Sequence, residues 1–591
     1  MTIKYAKLMS SPVPQTEPLD SRQTQNNAGG FVYQLDDWAR LERFLILGSD
    51  APTYYQKAQK LTKENAACVE RCYVADPVRT IAHIVDISTE GRAPKNDPAI
   101  FALAIGACHK DMNTRQMALA AMPKVCRIGT HLFQFVVMCK ALGRGDGRAF
   151  KRAIANWYDD KPVDKLAYQL IKYRSRENLT HKFLLRLSHP KSDHSGKTDY
   201  KYIPKGEFRR IWYLNFFHSK GFVPREVHVC KGARDEQSPR AALYRWACGK
   251  DYHLAKLPTI VCAHLDAMRV SAGIPEMVRQ YKLPWEALPT ECLKDPDIWK
   301  AMLPDMGLTA LIRNLGTMTE LGTLEPFHSD VNLTCTRLTD QDQLRKARIH
   351  PFNVLVALVV YRSGASVRGK RSWQPIPRIV DALDEAFYLA FKNVVPTGKR
   401  TLIGIDVSGS MSSQMMDSPL EVCEGAAAMA MVTMRAEKNW HVMAFDQGMR
   451  ELPISAGSSL ADVLKHTRNI NDGRTDCALP MLTALKNNWE VDVFQVLTDN
   501  ETWAGRVHPI AALREYRKKT GINAKLVVIG MTSTGFSIAD PQDGGCLDCV
   551  GFDTSTPSVI ADFCRGGANP FESKIGGDSG GYPEQVDAME F

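Results

Sequence analysis

An apolar run, Thr401-Leu402-Ile403-Gly404-Ile405, ends in Asp406-Val407-Ser408-Gly409-Ser410. A buried strand that delivers one carboxylate and two hydroxyls at its end is the beginning of a hard-oxygen cation site. Two later segments supply what is missing. Gly473-Arg474-Thr475-Asp476 offers a loop hydroxyl, and Val493-Phe494-Gln495-Val496-Leu497-Thr498 is a second apolar run followed by Asp499. Mg²⁺ takes oxygen ligands in near-octahedral geometry and keeps several waters. Ser408, Ser410 and Thr475 provide neutral oxygens, and Asp406 and Asp499 can hold the coordinating waters. Ligands that are mostly neutral leave the ion electrophilic, so it seeks one more anionic oxygen from a partner. The expected cofactor is a divalent cation, Mg²⁺ with Mn²⁺ as the alternative. Alone, Ser408 and Ser410 would read as caps of a following helix. Thr475 and Asp499, arriving in order, favour the cation.

Such residues need a scaffold, and the chain changes style just before them. From Val394 to Arg400 a Pro/Gly-containing link leads into alternating patterns. Strands are expected at 401–405, 440–445, 491–497 and 524–530, with helices at 420–436 and 509–518. That alternation predicts a Rossmann-like α/β domain over 394–565, with a parallel sheet covered on both faces. Ligand sites in such sheets lie beyond the carboxyl ends of the strands, where Asp406 and Asp499 fall. Residues 31–393 instead carry apolar positions at three- and four-residue spacing, as in 100–107, 130–142, 161–173, 309–321 and 353–361. Many short helices over such a length predict a HEAT-like α-solenoid, although no crisp repeat period is visible. Residues 1–30, rich in Pro, Gln, Ser and Asn, read as a flexible N-terminal arm, and 566–591 as a flexible Gly-rich tail.

The 591 residues are 44% hydrophobic and 24% charged, ordinary for a globular protein. No run is long enough for a membrane span and the N-terminus has no signal-peptide core, so a cytoplasmic protein without a membrane partner is expected. The 15 Cys are scattered, as free buried thiols would be. Cys546-Leu547-Asp548-Cys549 and the Cys68/Cys72 pair each lack the further ligands that structural zinc needs. The net charge of +10 is local: residues 140–220 hold 19 Lys and Arg against 8 Asp and Glu, and the rest of the chain is nearly balanced. A basic segment of this kind fits a polyanion, nucleic acid above all. Within it, Lys172 and Arg176 are four apart, a spacing that shares one helical face, with Lys165 two turns back. Arg144, Arg148 and Arg152 repeat the spacing, with Gly143, Gly145 and Gly147 weighing against a continuous helix. His189 precedes Pro190, so a helix should stop there and leave the ring exposed. Arg368, Lys370, Arg371 and Trp373 form a second basic-aromatic cluster. Asp406 and Asp499 sit beside hydroxyls with no base poised for water, and no catalytic residue is expected.

Asp-x-Ser-x-Ser, then Thr, then Asp resembles the metal-ion-dependent adhesion site (MIDAS) of von Willebrand factor A domains. A helical array followed by such a domain resembles the TROVE family, the Ro autoantigen and its bacterial relatives. The likeness runs through Phe44–Ser49, Thr53–Tyr55, Arg127–Phe133, Leu184–His189 and Lys346–Phe352, then Thr475–Met481, Thr498–Thr502 and Ala511–Lys519. It extends over about residues 29–565. The resemblance implies a helical array closed into a ring by contact with the A domain. It implies Y-type small noncoding RNA on the outer basic surface, with Lys172, Arg176 and His189 at RNA-contacting positions. It implies that 3′ ends of misfolded RNA enter the central hole, and that a monomer works beside an exoribonuclease such as polynucleotide phosphorylase in RNA quality control. Two alternatives stand beside this. One is a protein-binding module gripping a partner's acid through the cation. The other is a metal-dependent nuclease, disfavoured because two-metal hydrolysis wants several converging carboxylates.

Overall fold

The computed structural model describes residues 9, 12–48, 61, 66–176, 178–191, 238–269, 273–367, 370–391, 396–415, 419–468, 474–532, 534–551 and 553–565. The C-terminal tail, Thr53–Tyr55 and Arg368 lie outside them, as do Lys197, Lys201, Lys205, Arg209, Arg210 and Lys220 of the basic segment.

Helices fill the first two-thirds of the described chain, and their ends follow local chemistry. The helix Pro77–Glu90 shows how. Asp76 caps its first turn by accepting from the Arg79 backbone, Pro77 occupies the first helical position, and Gly91 ends it in the left-handed conformation (φ 66°). Ile81, Ile84 and Ile87 form its buried stripe. The next helix, Asp97–Ala107, is buried all round from Pro98 onward. It lies between Met112–Val125 and Gly129–Ala141, so it has no solvent face to keep polar. The expected helices appear at Asp97–Ala107, Gly129–Ala141, Val163–Lys172, Leu308–Glu320 and Pro351–Ser363.

The C-terminal domain is a six-stranded sheet. Its strands are β5 (Thr401–Asp406), β6 (Trp440–Phe445), β7 (Met449–Glu451), β8 (Val493–Thr498), β9 (Lys525–Gly530) and β11 (Cys546–Val550). The order is β11-β9-β8-β5-β6-β7, parallel except for β7 against β6. Alternation along the strands sends Leu402, Phe494, Leu526 and Val528 to the face covered by helices Leu479–Lys486 and Pro509–Thr520. Ile403, Ile405, Leu497 and Ile529 point the other way, into an apolar cluster with helix Val422–Ala436 that is continuous with the helical array. The fold is therefore α plus α/β, a helical array followed by an A-type domain. Cys546 and Cys549 sit on β11 three residues apart, hence on opposite faces, and among the described residues no group of three or more His, Cys, Asp or Glu is placed to hold a metal.

The described part of the N-terminal arm is not free. Residues 23–25 form β1 and 31–34 form β2, and β2 pairs in turn with β10 (Phe536–Ser537) of the A domain, Tyr33 opposite Ser537. The arm builds no apolar core of its own. Its Gln and Asn side chains instead satisfy buried backbone groups of the A domain, a role that low hydrophobicity does not reveal.

Array and domain are joined at several places. Arg92, after helix Pro77–Glu90, is bonded to Glu42 of helix Asp37–Leu47 and to Asp553 of the A domain. Arg43, 1% exposed, pairs with Asp548 on β11 at 2.6 Å. At the other end of the array, Asp384 of helix Pro377–Leu389 accepts from Leu460 N (2.8 Å), and Arg435 lies 3.5 Å over the Tyr388 ring. Early and late parts of the array also touch directly. His350 Nε2 meets Arg92 O at 2.9 Å, and Asn353 Nδ2 donates to Pro94 O at 3.2 Å. Among the described residues no helix is long and apolar enough to cross a membrane.

Candidate functional site

Parallel pairing of β5 with β8 places Ile405 opposite Leu497, so both strands deliver their acids to one sheet edge. Asp406, Ser408, Thr475 and Asp499 are all buried there, and Ser410 is half-buried. Thr498 Oγ1 donates to Asp406 Oδ2 at 2.6 Å, and Ser408 N donates to its Oδ1 at 3.0 Å. The Ser408 and Ser410 hydroxyls face each other at 3.2 Å. Ser408 makes no side-chain capping bond to the short turn Gly409–Ser412, so the helix-cap alternative does not describe it. Asp499 accepts from Glu501 N at 3.0 Å and from the Ser410 hydroxyl. The loop carrying Thr475 is held close, because Thr475 O accepts from both Trp503 N and Ala504 N at 3.0 Å. All five sequence-derived residues thus belong to two adjoining strand ends and the loop locked onto them.

The electrostatics suit a cation. Burial, with the negative charge of Asp499 beside it, pushes the Asp406 carboxyl up to about 7. Burial likewise raises Asp499. Among the described residues no Lys or Arg forms an ion pair with either acid. Two buried acids that destabilise each other's charge, ringed by hydroxyls and with no basic partner, fit a hard divalent ion. Asp406 and Asp499 would hold its waters, and Ser408, Ser410 and Thr475 would offer hydroxyl oxygens. Glu501, buried and raised to about 7 first by burial, escaped the sequence reading, as did the Thr498 hydroxyl. The only sequence signal was their adjacency to Asp499.

The basic surface differs from its expected form at two points. The helix ends at Lys172, and Arg176 belongs instead to β3 (Ser175–Arg176), which pairs with β4 (Leu179–Thr180). Lys172 and Arg176 therefore do not share a helical face. Lys172 is half-buried, with Nζ 5.4 Å from the Tyr168 ring centre and 5.7 Å from that of Tyr173. Arg144 precedes its helix, which starts at Arg148 after Gly147. Its guanidinium donates to Ala107 O and covers the Phe150 ring. The three glycines allow this loop, and Arg144 is used in packing. Arg148 and Arg152 share an exposed helix face, and Lys165 and Arg176 are exposed. His189 ends helix His181–Ser188 in the left-handed conformation (φ 48°), exposed as the following proline predicts. Helices Arg148–Asp159 and His181–Ser188 pack together, so Arg148, Arg152 and His189 belong to one packed unit. Trp373 is packed, stacking on Tyr361 and donating to its carbonyl at 2.9 Å, so it offers no free ring for a base.

A model of the TROVE domain matches residues 24–223 and 276–399, and a model of the Ro60 vWA domain matches 400–564. The chain is 39% identical over 559 residues to a Deinococcus radiodurans protein named RNA-binding protein RO60, across 94% of this chain and 97% of that one. It is 35% identical over 598 residues to a Caenorhabditis elegans protein of the same name, across 93% and 91%. The crystal structure of the Deinococcus radiodurans Ro (RSR) protein is similar with a TM-score of 0.64 at 36% identity, covering 90% of this chain and all of that one. Both relatives are named for RNA binding. Two domains matched in order over nearly the whole length place the chain in the Ro60 family, a TROVE domain followed by a Ro60-type von Willebrand factor A domain.

Proposed function

We propose that this protein is a non-catalytic RNA-binding ring. Structured small noncoding RNA of the Y type sits on its outer basic surface, and single-stranded 3′ ends of misfolded RNA enter a central hole. The observation that carries this is the exposed cationic face of Arg148 and Arg152, in one packed unit with His189, inside the segment that holds the chain's excess positive charge. Flexible, solvated cations of this kind neutralise phosphates and fix the register of an RNA without reading its sequence. The contacts of Arg92 and Pro94 with the late helix Pro351–Ser363, and of both array ends with the A domain, support ring closure. The relatives' names support RNA as the ligand. In this reading the protein is a cytoplasmic monomer acting in RNA quality control beside an exoribonuclease such as polynucleotide phosphorylase.

The A-domain site is read as a metal-ion-dependent adhesion site for Mg²⁺, or Mn²⁺ in its place. The ion would supply an electrophilic position for a partner's anionic oxygen. Asp406 and Asp499 would orient its waters while Ser408, Ser410 and Thr475 complete the oxygen set. The neutral hydroxyls favour gripping a protein partner's acid as a second activity of the same chain. They disfavour hydrolysis, which needs several carboxylates around the ions. Incubation with end-labelled RNA and Mg²⁺ tests the proposal: retention of full-length RNA supports it, and metal-dependent shortening contradicts it.

A further inference from the structure

The N-terminal segment is built into the same site. Gln15 is fully buried, and all its polar groups are used. Its Nε2 donates to Asp476 Oδ1 at 2.8 Å and to Val507 O at 2.7 Å. Its Oε1 accepts from the Thr502 hydroxyl at 2.5 Å. Its backbone N donates to Gly505 O (3.0 Å), and its O accepts from Phe31 N (2.8 Å). The space is cut to this side chain. A Cβ on Gly505 would stand 2.3 Å from Gln15 Nε2 and 2.4 Å from Asp476 Oδ1.

A second clasp follows. Asn26 Nδ2 donates to Thr502 O at 2.9 Å and Asn500 O at 3.3 Å. Asn27 Nδ2 and Ala28 N hold the two Glu501 carboxylate oxygens at 2.6 and 3.0 Å. Gly30 presses against the same loop so closely that a Cβ would lie 1.9 Å from Thr502 O. Asp476 adjoins Thr475, and Asn500, Glu501 and Thr502 follow Asp499 directly. The segment thus grips both loops of the cation site from the far end of the chain.

We infer that residues 15–30 form a strap that sets the cation affinity of the A domain, with Gln15 the positioning residue that fixes the Thr475 and Asp499 loops against each other. This rests on the cation-site reading above. Without the Gln15 side chain the buried Asp476 carboxylate keeps its bond from Ala478 N but loses its amide donor, and Val507 O loses one as well. Buried polar groups left unpaired pull their loops toward new partners. A Mg²⁺-type site tolerates such shifts poorly, because it demands near-ideal octahedral geometry. Groups that only orient a cation's ligands commonly change affinity ~10- to 100-fold when removed.

The test is Mn²⁺ titration of the full-length protein by calorimetry, with thermal melting alongside. Gln15→Ala and the apolar near-isostere Gln15→Met should both weaken Mn²⁺ binding by ~10- to 100-fold with unchanged stoichiometry. Leu311→Ala, a buried change in helix Leu308–Glu320 of the array, should lower the melting temperature and leave affinity as in wild type. That contrast separates positioning from general stability. Asn27→Ala alters only an exposed side chain, and it should weaken binding by a smaller factor even if the Gln15 variants fold poorly. Wild-type affinity in the folded Gln15 variants and in Asn27→Ala, with binding lost in Asp499→Ala, overturns the strap and keeps the cation site. Wild-type affinity in Asp499→Ala as well overturns the cation site itself, and the strap with it.

Discussion

Replacing Arg92 by Met should destabilise the protein strongly, because this guanidinium holds the array to the A domain. Its side chain is 11% exposed, between Glu42 at 8% and Asp553 at 4%. Nε lies 3.1 Å from both Asp553 oxygens, and Nη2 is bonded to Asp553 and Glu42. Asp86, at 3.2 Å, is half-exposed and adds little. Met keeps much of the volume but takes the shared guanidinium away from two buried carboxylates. Removing one partner of a buried ion cluster typically costs ~3–5 kcal/mol, most of it from the charges left unpaired. Neutralising those charges should recover most of the loss, so the triple variant Arg92→Met, Glu42→Gln, Asp553→Asn should be more stable than Arg92→Met alone. Full recovery is not expected, because Asp553 also accepts from Ser555 N and Oγ at 2.9 Å. Urea unfolding followed by circular dichroism measures this, comparing midpoints of the first transition, since a chain of two domains need not unfold in one step. A change below ~1 kcal/mol in Arg92→Met, the range of exposed pairs, would refute the reasoning. So would a triple variant no better than the single one.

Three more outcomes are expected. Asp499→Ala and Ser408→Ala should each abolish the heat of Mg²⁺ binding while leaving a small-RNA gel shift unchanged; loss of RNA binding in a folded variant would show that the two sites are coupled. Gly316→Ala should lower the melting temperature, because its Cβ would stand 2.7 Å from the Trp373 ring, and overpacking of this kind costs ~1–3 kcal/mol. Lys172→Ala should lower stability as well as RNA affinity, since its ammonium lies 5.4 and 5.7 Å from the centres of two tyrosine rings; a pure RNA effect with an unchanged melt would mean that the side chain is free in solution.

What the sequence could reveal depended on how local the cause was. Asp406 and Asp499 were readable because each closes an apolar run, and the end of a parallel strand is where a side chain leaves the sheet. The stripe Ile81, Ile84, Ile87 announces its helix because the period is written in neighbouring residues. The end of the helix at Lys172 was hidden, because a two-residue strand pairing Arg176 with Leu179 leaves no alternation to see. Arg144 read as a surface cation, yet the glycines around it let its guanidinium fold back onto Ala107 O. Gln15 carried no signal at all. Its partners Asp476, Thr502 and Val507 lie more than 460 positions away, and only the folded chain brings them together. The Arg92 cluster was equally invisible, since an isolated Arg after a helix is ordinary until Asp553 arrives beside it.

The most direct test of the central claim is the salt dependence of binding to a structured small noncoding RNA, wild type against Arg148→Ala/Arg152→Ala. Both residues are exposed on one helix, so the fold should be unaffected. Each phosphate that is no longer neutralised should reduce the slope of log affinity against log salt by about one unit, so the double variant should bind more weakly with a slope lower by about two. Unchanged affinity and an unchanged slope in the folded double variant would contradict the assignment of this face to RNA.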